Sequence, residues 1–543
     1  MSRKKREITR RDFVKGLSGA VAGGAIAGGG LNAQSRPHVL RDRSPGQEIP
    51  EDVNILFIMS DQHRGDFLGL LGPQPELRTP NMDMLAKNGL SFSRAYTPCP
   101  LCVPARAAIL TGKYPSALDF VDEEGRARDW RRKVVLRDEY TIPEHLSRHG
   151  YHTAHFGKGH LRGETENWPY GFQERQIGYI TDGRDYHMAT SNEIATEYRE
   201  NGTGHYGGGK EAFNGKYRRS RIDYHSHFDT LVVDRALEFF SRNRNRKFYM
   251  QVGIEKPHPL LYPPGRFMDE VDPSNVRLPE NWNRVLDENV PERKRERQRE
   301  QMGRGYQEIH WDSDKREWVR RTVPDSEGWS EEDARNAVAA YIASVNYVDH
   351  EIGRLLAGLE AEGLLEKTLI VYTSDHGEMC LDHGMVQKHC GFEAAVRVPL
   401  MFYGPGVKKQ GHVKEGLAEL LDLFPTYCDY LGIERPEGVS GESLMPALAM
   451  GEKPAKPIAY SEHYWDNIPR AEGHGPEHEG WENIAISERW KYIDNGRFGP
   501  ELYDLVNDPG ENTNLAFDPS YEAVLRDMKE AMKKRRAACG LPV

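Results

Sequence analysis

Two runs of consecutive apolar residues, far apart in the chain, have the length of strands that are buried on both faces of a sheet. VNILFIM occupies residues 53–59 and TLIVYT occupies residues 368–373. Parallel strands covered by helices on both faces show such continuous runs, whereas half-exposed strands alternate apolar and polar residues. The two runs therefore predict central strands of an α/β domain.

Other stretches predict further elements of the same domain. Residues 150–160 begin as a strand and open into a loop, and residues 248–254 form another sheet strand. Apolar spacing between residues 331 and 363 predicts one long helix, which leads into the second buried run. A short helix is capped near Asn81 and stopped at Gly89.

Two polar stretches lack a clear pattern. Residues 162–246 are rich in Gly, Tyr and His and weak in periodicity, and residues 269–325 are irregular. The second stretch contains a cluster of basic residues, Arg293, Lys294, Arg295, Arg297, Arg299 and Arg304. Such a run of charged residues usually forms a solvated helix face, and a binding patch for an anionic substrate is the alternative.

The N-terminal residues have the pattern of a targeting segment. Residues 1–33 have a basic start, the pair Arg10 and Arg11 followed by Phe13, and then a weakly apolar Gly/Ala run. This resembles a twin-arginine export signal, and the run is too short and glycine-rich for a transmembrane helix. We therefore expect an exported protein, periplasmic or secreted, with a polar linker at residues 34–51.

Composition excludes some classes of function. The chain has 543 residues, 38% of them hydrophobic and 29% charged, which describes a soluble globular protein. Its formal charge is −10, and because residues 1–33 hold seven basic and two acidic residues, the rest carries about −15. Nothing in that balance favours nucleic acid as a partner. Six cysteines are too few for a disulfide framework in a chain this long, although a pair such as Cys380 and Cys390 stays open.

Several candidate catalytic residues lie close together in one stretch, residues 98–115, with the sequence PCPLCVPARAAILTGKYP. It contains Cys102, Pro104 and Arg106 in a C-x-P-x-R pattern, and Pro104 suits the start of a helix that stops at Gly112. Cys102 would then lie at a helix N-terminus, where backbone N–H groups and the helix dipole favour an anion. Cys99 and Cys102 also form a C-x-x-C pair, which is found in redox sites and in halves of zinc sites.

Both buried runs end in residues that can bind a metal. Asp61 and Gln62 follow the first run, and Asp375 and His376 follow the second. Ligands of open α/β sheets gather at the carboxyl ends of the strands, so the two pairs could together hold one divalent cation. A single Asp that follows a strand is more often a turn or cap residue. The presence of Cys102 in the same chain nevertheless favours a metal site as the interpretation of the two pairs.

At these residues the sequence resembles the sulfatase family. The resemblance covers C-x-P-x-R and its continuation AILTGKY at residues 108–114, and extends over nearly all of residues 50–520. G-K-x-H-L at residues 157–161, K-P-H at residues 256–258 and E-x-x-x-R-V-P at residues 393–399 also match the family.

The resemblance implies a chemistry and a role for each matching residue. A separate maturase would oxidise Cys102 to formylglycine, whose hydrate is the nucleophile and contacts the metal beside Asp61, Gln62, Asp375 and His376. Lys158, Lys388 and Arg106 would neutralise the growing charge on the sulfate. His258 would protonate the departing alcohol with weaker support from Lys256, and His160 would help to expel sulfate.

The sequence departs from many sulfatases at Gln62 and His376, where Asp and Asn are common. Calcium is the usual ion of the family, but imidazole is a softer ligand than calcium prefers, so Mn²⁺ and Zn²⁺ stay open. Phosphonate monoester or phosphodiester hydrolysis is the nearest alternative, and a non-catalytic glycan-binding protein or a thiol oxidoreductase is less favoured. We expect a sulfated carbohydrate as substrate.

The resemblance also implies a fold. It predicts an alkaline-phosphatase-like α/β domain at residues 52–450, with a large mixed sheet flanked by helices. A small C-terminal α+β subdomain with an antiparallel sheet would follow at residues 451–543.

Overall fold

The two apolar runs lie side by side at the centre of a large sheet. The computed structural model describes residues 48–118, 120–121, 135–136, 139–161, 170–177, 224–259, 261–302, 306–312, 317–323, 329–464 and 481–542. Within these ranges the strands are β1 (Asn54–Asp61), β2 (Leu90–Tyr96), β3 (Phe120–Val121), β4 (Val135–Leu136), β5 (His152–Gly157), β6 (Glu174–Ile177), β7 (Phe248–Pro257), β8 (Tyr306–Asp312), β9 (Glu317–Val323), β10 (Thr368–Ser374), β11 (Arg397–Tyr403), β12 (Gly411–Val413), β13 (Ala418–Glu419), β14 (Ala459–Tyr464), β15 (Trp481–Ile486), β16 (Trp490–Asp494) and β17 (Pro500–Asp504). The helices are α1 (Pro80–Asn88), α2 (Cys102–Thr111), α3 (Ile142–Arg148), α4 (Phe228–Asn243), α5 (Gly265–Asp269), α6 (Glu292–Gln301), α7 (Glu331–Ala361), α8 (Glu393–Val396), α9 (Leu423–Leu431), α10 (Met445–Met450) and α11 (Glu522–Ala538).

The large sheet has the strand order β12-β2-β11-β10-β1-β7-β5-β6, and β13 also pairs with β2. Strands β10, β1, β7, β5 and β6 are parallel to one another, whereas β11 is antiparallel to both β10 and β2. The predicted mixed sheet is thus confirmed, and its parallel part contains both apolar runs.

Both faces of the sheet are covered, as the continuous apolar runs required. On one face, Ile55, Phe57 and Met59 of β1 pack in a core with residues of α2 and α9. On the other face, Leu56 and Ile58 pack with residues of α4 and α7. Each buried side chain of this size contributes about 1.5–3 kcal/mol relative to leaving it exposed.

The predicted C-terminal antiparallel sheet is also present, with the order β14-β15-β16-β17. One of its faces packs against Met528 and Met532 of α11. The other face packs against the segment that follows β10, through residues such as Met379 and Phe392. The small sheet therefore supports a segment of the large domain. The domain boundary at residue 450 stays a prediction.

Two polar stretches contain more packed structure than their sequence pattern indicates. Residues 162–246 are weak in periodicity, but α4 lies within them and buries Val232, Ala236 and Phe239 against the sheet. The basic run around residue 295 is a helix, α6, but it is not a solvated one, because Lys294 and Gln298 are fully buried. Arg304 lies outside the described residues.

The described residues allow only some of the remaining predictions to be tested. The export signal and most of the linker lie outside them. Across the described ranges, no helix is long and apolar enough to cross a membrane. Cys380 and Cys390 do not form a disulfide with each other, and both are free thiols.

Candidate active site

The carboxyl ends of four adjacent parallel strands bring most of the predicted residues to one edge of the large sheet. Asp61 ends β1, Lys256 lies near the end of β7 with His258 just beyond it, Lys158 and His160 follow β5, and Asp375 and His376 follow β10. Because parallel strands end on the same side, residues as far apart in sequence as Asp61 and His376, which are separated by 315 positions, meet there.

Cys102 reaches the same edge from the helix α2. The helix begins at Cys102, two residues before the predicted start at Pro104. It ends at Thr111 and is capped by Gly112, whose φ of 71° suits a residue without Cβ. Cys102 is therefore in the first turn, as predicted. Its Sγ lies 3.0 Å from Nε2 of His376 and 3.7 Å from Oδ1 of Asp61.

Four buried side chains form a candidate metal centre. One ligand atom from each of Asp61, Cys102, Asp375 and His376 lies within 4.8 Å of the others. Nδ1 of His376 is 2.9 Å from the carbonyl oxygen of Gly377, so this nitrogen is the donor and Nε2 keeps its lone pair. Nε2 also lies 3.6 Å from Oδ1 of Asp375 and 3.8 Å from Oδ1 of Asp61. Two carboxylates and a correctly oriented imidazole fit a divalent cation.

Two buried cations neutralise the carboxylates. Arg106 donates to Asp375 at 2.7 Å and to Asp61 at 3.2 Å, and a third N–H reaches the carbonyl oxygen of Lys158 at 2.7 Å. Nζ of Lys158 lies 2.7 Å from Oδ2 of Asp61. Burial alone would raise the pKa of Asp61, but the positive charges of Lys158 and Arg106 hold that pKa well below its usual value. Burial likewise opposes the charge of Lys158, yet Asp61 raises the pKa of Lys158 above its usual value.

Close approach of two strand ends fixes Lys158. The backbone N–H of Lys158 donates to the carbonyl oxygen of Gly253 at 2.9 Å. A Cβ at Gly157 would lie 2.1 Å from that same oxygen, and a Cβ at Gly253 would lie 2.2 Å from the carbonyl oxygen of Lys158. Glycine is thus required at both positions for β5 and β7 to converge below the site.

Gln62 connects the metal cluster to Lys388. Its backbone N–H donates to Oδ1 of Asp375 at 3.1 Å, and its side-chain oxygen accepts a hydrogen bond from Nζ of Lys388 at 2.5 Å. Its amide nitrogen donates to the buried carboxylate of Glu378. Gln62 has a φ of 72°, a left-handed conformation that non-glycine residues rarely adopt outside constrained sites. Its role as a metal ligand stays a prediction.

The two predicted proton carriers are neutral histidines. Burial, and then the positive charge of Lys158, lower the pKa of both His160 and His258 well below the usual value. Lys388 adds to the effect at His258. Nδ1 of His258 contacts the carbonyl oxygen of Pro259, so Nδ1 carries the proton of the neutral ring. Lys256 donates to the carbonyl oxygen of His258 at 3.1 Å and supports the loop.

Comparison with models of known protein families identifies the family to which this chain belongs. The family model "Sulfatase" matches residues 53–433, and the model "N-sulphoglucosamine sulphohydrolase, C-terminal" matches residues 381–538. The chain belongs to the sulfatase family. It is a sulfuric ester hydrolase with the alkaline-phosphatase-like fold.

Individual relatives match along most of the sulfatase. It is 28% identical over 507 residues to an arylsulfatase of Clostridium perfringens, covering 89% of this chain and 94% of the relative. It is 27% identical over 535 residues to an N-acetylglucosamine-6-O-sulfatase of Bacteroides thetaiotaomicron, covering 90% and 87%. The solved phosphonate monoester hydrolase of Silicibacter pomeroyi is 26% identical, with a TM-score of 0.69 and coverage of 89% and 95%.

Sequence analysis assigned no role at the site to two residues that the structure places there. Glu378 is fully buried and accepts N–H groups of Gln62, Cys380 and Gln387. Its position two residues after His376 was the available signal. Arg297 donates to backbone carbonyls beside Lys388, and nothing in its charged surroundings distinguishes it from the neighbouring arginines.

Proposed function

We propose that this sulfatase hydrolyses a sulfate ester of a carbohydrate, using formylglycine made from Cys102 and a divalent cation. The observation that carries the proposal is the position of Cys102. Its Sγ lies at a helix N-terminus and within 4.8 Å of ligand atoms of two carboxylates and an imidazole, and Arg106 and Lys158 bind those carboxylates. This set can hold a cation and an anionic sulfate together.

The proposed division of roles follows from the contacts. A cation held by Asp61, Asp375 and His376, with Gln62 as a further candidate, would polarise sulfate oxygens as a Lewis acid. Arg106 pairs with Asp61 and Asp375, Lys158 pairs with Asp61, and Lys388 would supply a further ammonium to a sulfate oxygen. Maturation of Cys102 would supply a hydrated aldehyde with one hydroxyl for attack on sulfur and one for release of sulfate.

The unmodified cysteine is poorly suited to be the nucleophile. Burial, and then the carboxylate of Asp61, raise the pKa of the Cys102 thiol to about 12. Reactive cysteines have thiols whose pKa is lowered, because the thiolate is the nucleophile. The environment of Cys102 therefore favours a modified residue over thiol chemistry with Cys99.

The carbohydrate part of the proposal rests on relatives. One of them is named for removal of sulfate from N-acetylglucosamine, and it matches 90% of this chain. Export by a twin-arginine signal at residues 1–33 remains part of the proposal and would place the enzyme where sulfated glycans are found.

Phosphonate monoester hydrolysis is the second candidate. It is favoured by the likeness to a phosphonate monoester hydrolase and by Gln62 and His376, which depart from many sulfatases. One preparation should be assayed with 4-nitrophenyl sulfate, 4-nitrophenyl phenylphosphonate and 6-O-sulfated N-acetylglucosamine. We expect the highest kcat/KM for a sulfate ester. A higher value for the phosphonate would replace the proposal by the second candidate.

Removal of the metal is expected to lower both activity and thermal stability. A cation that binds only the folded protein contributes about 2.7 kcal/mol of stability at a concentration of 100 times Kd, and EDTA removes this contribution. The metal content of the purified protein should be measured by mass spectrometry, and Tm compared before and after EDTA and after return of Ca²⁺, Mn²⁺ or Zn²⁺.

The control is His376→Ala, which removes one ligand. It should bind less metal per chain and show a smaller fall in Tm with EDTA. Wild-type protein that is fully active with no bound metal would disprove the metal site.

A further inference from the structure

Helix α6 buries a face that has almost no apolar side chains. Its sequence is ERKRERQREQ, yet Lys294 and Gln298 are fully buried and Gln301 is 3% exposed. Together with Arg297, these residues have the spacing i, i+3, i+4 and i+7, which places them on one side of a helix. A polar face is buried only where its groups find hydrogen-bond partners.

The partners are backbone atoms of the segment that carries Lys388. The Arg297 guanidinium donates to the carbonyl oxygens of Lys388 and His389, the latter at 2.9 Å. The side chain of Gln301 accepts from the N–H of Val386 at 3.0 Å and donates to its carbonyl at 3.2 Å. Gln298 donates to the carbonyl oxygen of His383 at 2.6 Å. The helix thus binds four residues of this segment through their main chain.

The same helix is fixed on its other side to the C-terminal sheet. Nζ of Lys294 lies 3.0 Å from Glu482 of β15 and 2.7 Å from Glu501 of β17. All three side chains are fully buried. Breaking a buried pair of this kind by removing one partner is strongly destabilising, so the helix has a firm support.

The segment needs such support because its backbone is strained. Gln387 and His389, on either side of Lys388, have φ values of 72° and 75°. Left-handed backbone at a non-glycine residue is strained and persists only where surrounding contacts impose it. At its far end, the Lys388 ammonium is held by Gln62. Lys388 is therefore fixed at both ends, by Arg297 at the carbonyl and by Gln62 at Nζ.

We propose that α6 is a brace that positions Lys388 toward the sulfate, and that Arg297 is the positioning residue through which it acts. This inference rests on the proposed role of Lys388 in binding sulfate. It differs from the interpretation of the basic run as a patch for an anionic substrate, since Arg297 donates to main-chain carbonyls and Lys294 to buried carboxylates.

The test is a double-mutant cycle on the full-length enzyme with Arg297→Met, Lys388→Ala and the combination. The matched control is Arg299→Met on the same helix, because Arg299 pairs with Glu292 and is partly exposed. We expect Arg297→Met to lower kcat/KM for 4-nitrophenyl sulfate about 10- to 100-fold, as loss of a correct orientation does. Arg299→Met should change it less than about twofold, and Arg297→Lys should fall between the two.

Comparison of the double variant with the two single variants shows whether Arg297 affects kcat/KM through Lys388. If Arg297 acts through Lys388, Arg297→Met should have little further effect when residue 388 is already alanine. If the two effects multiply instead, Arg297 acts on the substrate directly and the proposal is wrong.

Hydrogen–deuterium exchange gives a readout that does not depend on sulfatase chemistry. Amides of residues 383–389 should exchange faster in Arg297→Met than in wild type, and not in Arg299→Met. Faster exchange without sulfatase activity in the wild type would uphold the brace while rejecting the proposed function. Unchanged exchange together with unchanged kcat/KM would overturn the brace itself.

Discussion

We expect the replacement of Cys102 by alanine to abolish sulfate release, with a loss of kcat of about 10⁴-fold or more, because under the proposed mechanism it removes the covalent nucleophile. Loss of the fold would not explain it, because the side chain is small and deletion of so few buried atoms costs about 1 kcal/mol. The measurement is kcat with 4-nitrophenyl sulfate, together with Tm of both proteins.

Cys99→Ala is the matched control, since Cys99 is also buried and lies three residues away. It should keep most of the activity. Mass spectrometry of the alkylated tryptic peptide of residues 95–106 from the native host tests the same point, because it contains both cysteines. An alkylated Cys99 beside an aldehyde at position 102 supports the mechanism. Two alkylated cysteines in an active enzyme would refute it.

The second large effect is expected at His258 and should depend on the leaving group. General acid catalysis contributes about 10²–10⁴-fold when the departing alkoxide is basic, and little when it is a good leaving group. His258→Ala should therefore lower kcat/KM by about that factor for 6-O-sulfated N-acetylglucosamine, but by less than about tenfold for 4-nitrophenyl sulfate.

The pKa shift at His258 makes this test informative. Burial together with Lys158 and Lys388 keeps the ring neutral in the free enzyme, with the proton on Nδ1. To act as an acid, His258 must gain a proton at Nε2, and a bound sulfate anion would favour this by opposing the charge of the lysines. Equal losses for both substrates would mean that His258 binds sulfate and does not donate a proton.

Sequence analysis predicted the strand-end residues because their pattern is local. An apolar run that stops at Asp61 or Asp375 identifies both the strand and the edge of the sheet where its last residue lies, and the sheet topology then brings the two together. The motif around Cys102 gave the helix N-terminus in the same way, with an error of two residues in its start.

The parts that were missed depend on tertiary contacts. The helix α4 has Phe228, Val232, Ala236 and Phe239 at helical spacing, but this signal is short and lies at the end of a long polar stretch. The face of α6 could not be predicted, because Arg297 and Arg299 are alike in sequence and differ only in whether backbone carbonyls lie opposite them. Propensity and charge pattern carry no information on such partners.

The burial of Cys102 bears on whether this residue can be modified before or after the protein folds. The residue is 4% exposed, and its Sγ contacts His376, which lies 274 residues later in the chain. Under the proposed function, a maturase that has to reach this sulfur would find it enclosed in the folded protein. The proposal therefore requires that oxidation at position 102 precede closure of the sheet edge, during or soon after synthesis. With the proposed twin-arginine export, the enzyme would then leave the cytoplasm already matured.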